Sequence, residues 1–267
     1  MGDCNRPIGV FDSGVGGLTV LRQIARQLPR ESLIYLGDTA RVPYGTKSPQ
    51  TVIRYARACA ALLLERDIKM LVVACNTASA FALDALRDDL GMPVIGVIEP
   101  GARAAARKSR TGRIGVIGTA GTVASGAYEK AIAAAAPQAR VFTRACPLFV
   151  PLAEEGWTEG PVPEAVAHTY LAALLDKGID TLVLGCTHYP LLAGVIAQAA
   201  GQAVALVDSA EETAGAVRET LEALALSRQC ADPPTRRFLV SDDPDGFERI
   251  GRRFLGCAMD YVEWVDC

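Results

Sequence analysis

At 267 residues the chain is long enough for one large domain or two of ordinary size, each with its own core. Half of its residues are hydrophobic and 6% are aromatic, with alanine, valine, leucine and glycine prominent, as in layered α/β proteins. A net charge of −3 with mixed signs gives no electrostatic footing for nucleic acid or an anionic membrane, and no apolar run reaches the length of about 18 residues that a membrane span needs.

Residues 1–7 are polar and no apolar signal segment follows them, so a cytoplasmic protein is expected. The first predicted strand is 8–11, followed by a Gly-rich turn and a helix over 18–27. A strand at 33–37, a helix at 51–66, a strand at 71–74 and a helix at 78–90 come next, with Gly91 as a stop. A further strand is predicted at 94–98. The pattern then restarts with a strand at 114–117, a turn and a helix over 127–136, and continues with strands at 181–184 and 203–207. The tail from residue 231 adds a strand at 238–240 and a helix at 246–255, expected to pack back onto the rest. Short apolar runs alternating with helical patterns predict βα units and parallel sheets.

The restart is a repeat. I-G-V-F-D-S-G-V-G-G, beginning at Ile8, returns 106 residues later as I-G-V-I-G-T-A-G-T, beginning at Ile114. I-K-M-L-V-V-A-C-N-T, ending at Thr77, aligns without a gap on I-D-T-L-V-L-G-C-T-H, placing Ile68 on Ile179 and Cys75 on Cys186. Self-similarity on this scale predicts two related α/β domains, each a mainly parallel sheet flanked by helices, with pseudo-twofold symmetry and a site between them. The expected division is 1–98 plus 211–267 for the first domain and 99–210 for the second.

Of the eight cysteines (4, 59, 75, 146, 186, 230, 257 and 267), no two form C-x-x-C, which argues against zinc ribbons and thioredoxin-type chemistry. Cys59 reads as a small core residue in a helical pattern, and Cys4 and Cys267 sit at the ends. Only Cys75 and Cys186 occupy matched contexts, at the carboxyl ends of strands, where open α/β sheets place ligands. Asp12 and Ser13 share that position in the first half, and Thr119 and Thr122 hold the equivalent turn in the second. The turn D-S-G-V-G-G has Thr19 where a dinucleotide fingerprint needs its third glycine, and no Walker lysine follows. What survives is a turn whose amides could hold an anion such as a carboxylate. Two thiols facing each other across a bound molecule suit removal of a proton from one face of a carbon and delivery to the other. Asn76, Thr77 and Thr187 could aim donors at the developing charge. His188 reads either as a proton-transfer partner of Cys186 or as an ordinary buried residue, since neighbours on an extended strand alternate in direction. No metal-ligand spacing and no distinctive Schiff-base lysine occur, so neither a metal nor a cofactor is expected. A two-lobed protein that binds a small anion without turnover is the competing reading. Repeat symmetry permits it, but it gives no reason for paired thiols.

D-S-G-V-G-G-L, Y-L-G-D-T-A-R-V-P-Y-G, A-C-N-T-A-S-A and L-G-C-T-H-Y-P-L together resemble the glutamate racemases over residues 8–208, and more weakly through the tail. Aspartate racemases usually carry glutamate where this chain has His188. The resemblance implies cofactor-independent racemisation of glutamate with Cys75 and Cys186 as base and acid. It also implies substrate contacts from Asp12, Ser13, Tyr44, Gly45, Asn76, Thr77, Thr187 and His188. Glu155, in P-L-A-E-E-G, matches a family carboxylate near His188, and Asp12 is its counterpart beside Cys75. The family supplies D-glutamate for peptidoglycan and often forms dimers.

Overall fold

The computed structural model describes residues 3–267. Its first part runs β1 (Ile8–Asp12), α1 (Leu18–Gln27), β2 (Leu33–Gly37), α2 (Pro49–Leu64), β3 (Met70–Val73), α3 (Asn76–Asp89), β4 (Val94–Gly96) and α4 (Ile98–Lys108). Next come β5 (Arg113–Gly118), α5 (Ala120–Ala124), α6 (Ala127–Ala135), β6 (Arg140–Ala145), α7 (Phe149–Glu155), α8 (Pro161–Leu175), β7 (Thr181–Gly185), α9 (Ala193–Ala200) and β8 (Ala205–Asp208). The chain finishes with α10 (Ser209–Ala223), β9 (Arg236–Val240), α11 (Pro244–Leu255) and β10 (Val262–Trp264).

The strands form two sheets, ordered β10-β9-β2-β1-β3-β4 and β6-β5-β7-β8, and the pairings within each are parallel. The strands β2-β1-β3-β4 of the first sheet and the four of the second follow one order, with β1 in the place of β5 and β3 in that of β7. The likeness reaches side-chain packing. A Cβ on Gly9 would lie 2.8 Å from Ile68 Cδ1, and one on Gly115 would lie 2.7 Å from Ile179 Cδ1. Each half thus presses an isoleucine flat onto the glycine of its central strand. The tail supplies β9 and β10, which lengthen only the first sheet.

Strands covered by helices on both faces read as unbroken apolar runs, as IGVFD, LIYLG and MLVV do. The period of two sorts their side chains. Val10, Tyr35 and Val72 join a core shared with α1, α10 and the second half. Phe11, Leu36, Leu71 and Val73 join a separate core that includes Val52, Leu63 and Leu86 of α2 and α3.

Several boundaries differ from the sequence reading. Residue 98 belongs to a helix, because the strand pairing ends at Gly96 and the chain turns at Val97 into α4. The second helix starts at Pro49, with Ser48 accepting the Thr51 N–H as its cap. No range was predicted for the strands β6 and β10 or for the helices α4, α5, α7, α8, α9 and α10. No helix among the described residues is long and apolar enough to cross a membrane.

Candidate active site

The carboxyl ends of β1 and β3 lie side by side, Phe11 pairing with Val73, so Asp12 and Cys75 emerge together. Cys75 caps α3, its Sγ accepting the Ala78 N–H at 3.5 Å, while its S–H donates to Ser13 Oγ at 3.6 Å. The thiol is 6% exposed. Burial pushes its pKa up to about 12, and the Asp12 and Cys186 charges add to the rise, against the Ala78 amide and Ser13. That influence of Cys186 places the two thiols within electrostatic reach of each other. Asp12 accepts the Gly14 N–H at 2.9 Å. Burial raises its carboxyl above the ordinary range, although His188 and the Gly14 and Gly17 amides pull it down.

On the other side Cys186 follows β7, and the chain then turns into helical backbone, with His188 at φ −79° and ψ −30°. This turn decides the question of direction. His188 points back to the thiol, Nδ1 lying 3.8 Å from Cys186 Sγ. Its Nε2 lies 2.8 Å from Glu154 Oε1, and its ring stands edge-on to Phe254 of the tail helix α11. Burial favours neutral imidazole, but the hydrogen bonds with Cys186 and Glu154 outweigh it and hold the pKa up to about 10.

The carboxylate against His188 is therefore Glu154, not Glu155. Neighbours on a helix point about 100° apart. With Ala153 buried, Glu154 reaches inward, while Glu155, at the end of α7, is exposed beside Gly156 and Arg253.

Polar residues of the two halves meet beside the strand ends that carry the thiols. Thr77 Oγ1 lies 3.0 Å from Thr119 Oγ1 and 3.2 Å from Thr122 Oγ1, and Thr119 also caps α5. Tyr128 donates its hydroxyl to Asn76 Oδ1 at 2.8 Å. Thr19 donates to the Thr187 carbonyl at 3.2 Å, and Thr187 Oγ1 lies 3.5 Å from His188 Nδ1. Gly45 packs its backbone on Thr119, where a Cβ would come within 2.8 Å of the threonine Cβ. Tyr44 is buried, and its hydroxyl donates to Asp38 Oδ2 at 2.5 Å. Burial raises the Tyr44 pKa far above the ordinary phenol value, with Cys59 and Asp38 adding to the rise.

Asp12 Oδ1 and Asn76 Nδ2 are buried and have no hydrogen-bond partner among the described residues. One accepts and the other donates, so the site offers opposite polar ends to a guest. A groove of about 520 Å³ elsewhere, along α3, α4 and α6, includes neither thiol. Glu154, Tyr128, Phe254 and Asp38 escaped the sequence reading. Only Glu154 had a signal, as the other half of the same E-E pair.

Residues 8–217 match the model of the Asp/Glu/hydantoin racemase family. The chain belongs to that family. It is 61% identical to a glutamate racemase of Geobacter metallireducens over 97% of this chain and 96% of the relative. Among solved structures, a glutamate racemase isoform from Bacillus anthracis superposes with a TM-score of 0.94 at 42% identity, covering 98% of this chain and 97% of the other. A Francisella tularensis glutamate racemase, solved in complex with D-glutamate, gives 0.92 at 39% identity, with 98% of each chain covered.

Proposed function

We propose that this protein interconverts L- and D-glutamate without a cofactor, using Cys75 and Cys186 as paired acid and base. The observation that carries this reading is the emergence of two buried thiols from equivalent strand ends of two related halves, within electrostatic reach of each other. The unpartnered Asp12 Oδ1 and Asn76 Nδ2 suit a zwitterion, the first meeting its ammonium and the second its carboxylate. Each atom is costly to leave buried and unpaired, by about 1–3 kcal/mol, which a ligand supplying the missing partner would recover.

Chemistry follows from the two environments. His188 Nδ1 lies 3.8 Å from Cys186 Sγ, beside the thiol to which the family resemblance gives the α-proton of L-glutamate. Cys75, with its raised pKa, holds its proton and delivers it to the opposite face. Amide and hydroxyl donors stabilise the charge that develops on the substrate carboxylate between the two steps. In the reverse direction the substrate ammonium screens Asp12 and removes part of what keeps Cys75 protonated. The same reading, through the resemblance, places the enzyme in the cytoplasm as a source of D-glutamate for peptidoglycan.

Circular dichroism of L-glutamate in deuterated water, with purified protein and no additive, tests the proposal. The signal should decay to zero, and early product should carry deuterium at the α-carbon while recovered substrate carries little. Cys75→Ala and Cys186→Ala should each abolish the decay. A constant signal would leave the family fold as a binding protein only, and decay on aspartate but not glutamate would move the substrate.

A further inference from the structure

Behind Tyr44, away from the site thiols, two more cysteines meet. Cys59 is fully buried in α2, and Cys267 is half-buried beyond β10. Their Sγ atoms lie 3.8 Å apart. Arg41 reaches Cys267 Sγ with Nη1 at 3.9 Å, and the Tyr44 hydroxyl lies 3.9 Å from Cys59 Sγ. Sequence spacing could not reveal this pair, because 208 residues separate its members.

The two thiols and Asp38 bring their ligand atoms within 4.8 Å of one another, a distance a metal ion could bridge. The surroundings argue for different chemistry. Asp38 Oδ1 already accepts from Ser241 at 2.9 Å, and Oδ2 accepts from Tyr44 at 2.5 Å and Arg41 at 3.5 Å. A guanidinium touching both the carboxylate and one sulfur repels a cation and supports a thiolate.

We propose that Cys267 and Cys59 form an oxidation site, with Cys267 attacking a hydroperoxide and Cys59 resolving the product to a disulfide. The thiolate of Cys267 attacks one oxygen of hydrogen peroxide and breaks the O–O bond. This gives the sulfenic acid and hydroxide, which becomes water by taking the proton released when the Cys267 thiol ionised. The Cys59 thiol then attacks the sulfenic sulfur. Its proton leaves with the departing hydroxyl as water, and the S–S bond forms. Sulfur loses two electrons overall and the peroxide gains them.

The two environments match these roles. The thiol contact and then Arg41 hold the Cys267 pKa below the ordinary value, against its burial and the Asp38 charge. The same contact, with burial and Asp38, pushes Cys59 well above it, so Cys59 keeps the proton that the second step needs. Exposure differs in the same sense, since only Cys267 opens to solvent. Bond formation requires the sulfurs to approach by about 1.8 Å. Cys267 lies two residues past the Val265 N–H bond to Val240, outside the sheet ladder, where it can move.

Peptide mapping of the full-length protein tests the proposal and needs no activity. After a few equivalents of hydrogen peroxide and alkylation in denaturant, a peptide joining Cys59 to Cys267 should appear and should vanish on treatment with dithiothreitol. Cys267→Ser should leave Cys59 alkylated and unlinked. Cys59→Ala should leave a dimedone-reactive sulfenic acid at Cys267. Arg41→Met should slow linkage about tenfold, as expected when a neighbouring cation is lost from a thiolate. Oxidation falling on Cys4, Cys230 or Cys257 while both members of the pair stay alkylatable would overturn the assignment. So would one zinc ion retained through desalting that shields both thiols.

Discussion

Glu154, together with the Cys186 contact, holds the charge on His188. Because the imidazole pKa rises from 6.5 to about 10 on folding, the folded state binds that proton more tightly than the unfolded chain. The resulting stabilisation is fully present below pH 6.5 and is lost as pH climbs through about 10. Removing the Glu154 charge lowers the His188 pKa, so the imidazolium disappears at lower pH. Glu154→Gln should therefore shift the alkaline limb of the L-to-D rate profile downward and cut kcat by about 100-fold, the low end of the range for general acid–base groups. Glu155→Gln should stay within about twofold. Steady-state pH profiles of the two variants decide the matter, and the reverse ranking would return the role to Glu155. At this scale the thiols were legible because the repeat aligned them. Which glutamate of an adjacent pair faces inward was not, since one step along a helix rotates a side chain by about 100°.

Among the elements, the turn between β1 and α1 lies against the second half at Thr187 and His188. A Cβ on Gly16 would sit 2.2 Å from Thr187 Oγ1 and 2.6 Å from the His188 ring, too close for any relaxed arrangement. Gly16→Ala should push both side chains aside and lower kcat/KM by more than about tenfold, the scale expected of a small displacement at a reacting centre. Gly215→Ala in α10, where no atom lies within 4 Å of the new Cβ, provides the contrast. It should leave activity unchanged and raise stability by about 0.5–1 kcal/mol through helix propensity. Denaturation midpoints and initial rates on both variants test the pair. Sequence found the strands whose runs are buried on both faces and found helices with clear turns before them. It passed over β6, whose R-V-F-T-R-A is only partly buried at the sheet edge, and extended β4 by two residues, because an isoleucine suits a strand as well as the first turn of a helix.

For the molecule as a whole, the repeat seen in the sequence became the shared strand order of two sheets, but the bonds joining the halves were not visible in it. Tyr128 illustrates why: its place in a helical pattern was readable, whereas its reach to Asn76 depends on how the two halves are set against each other. Tyr128→Phe leaves Asn76 Oδ1 buried without its donor and should lower stability by about 1–3 kcal/mol. Urea unfolding should show an earlier midpoint with an unchanged slope. An unaltered midpoint would mean that Asn76 finds another partner. One consequence of the topology is mechanical. The backbone passes between the sheets twice, once through α4 between β4 and β5 and again through α10 between β8 and β9, and these two helices pack on each other. Two covalent pivots held side by side define an axle. Twisting or sliding of one sheet against the other would strain both pivots, which leaves swinging about that line as the soft motion. On the proposed two-thiol reading, such a swing would vary the gap between Cys75 and Cys186 while preserving which sulfur faces which side of the carbon.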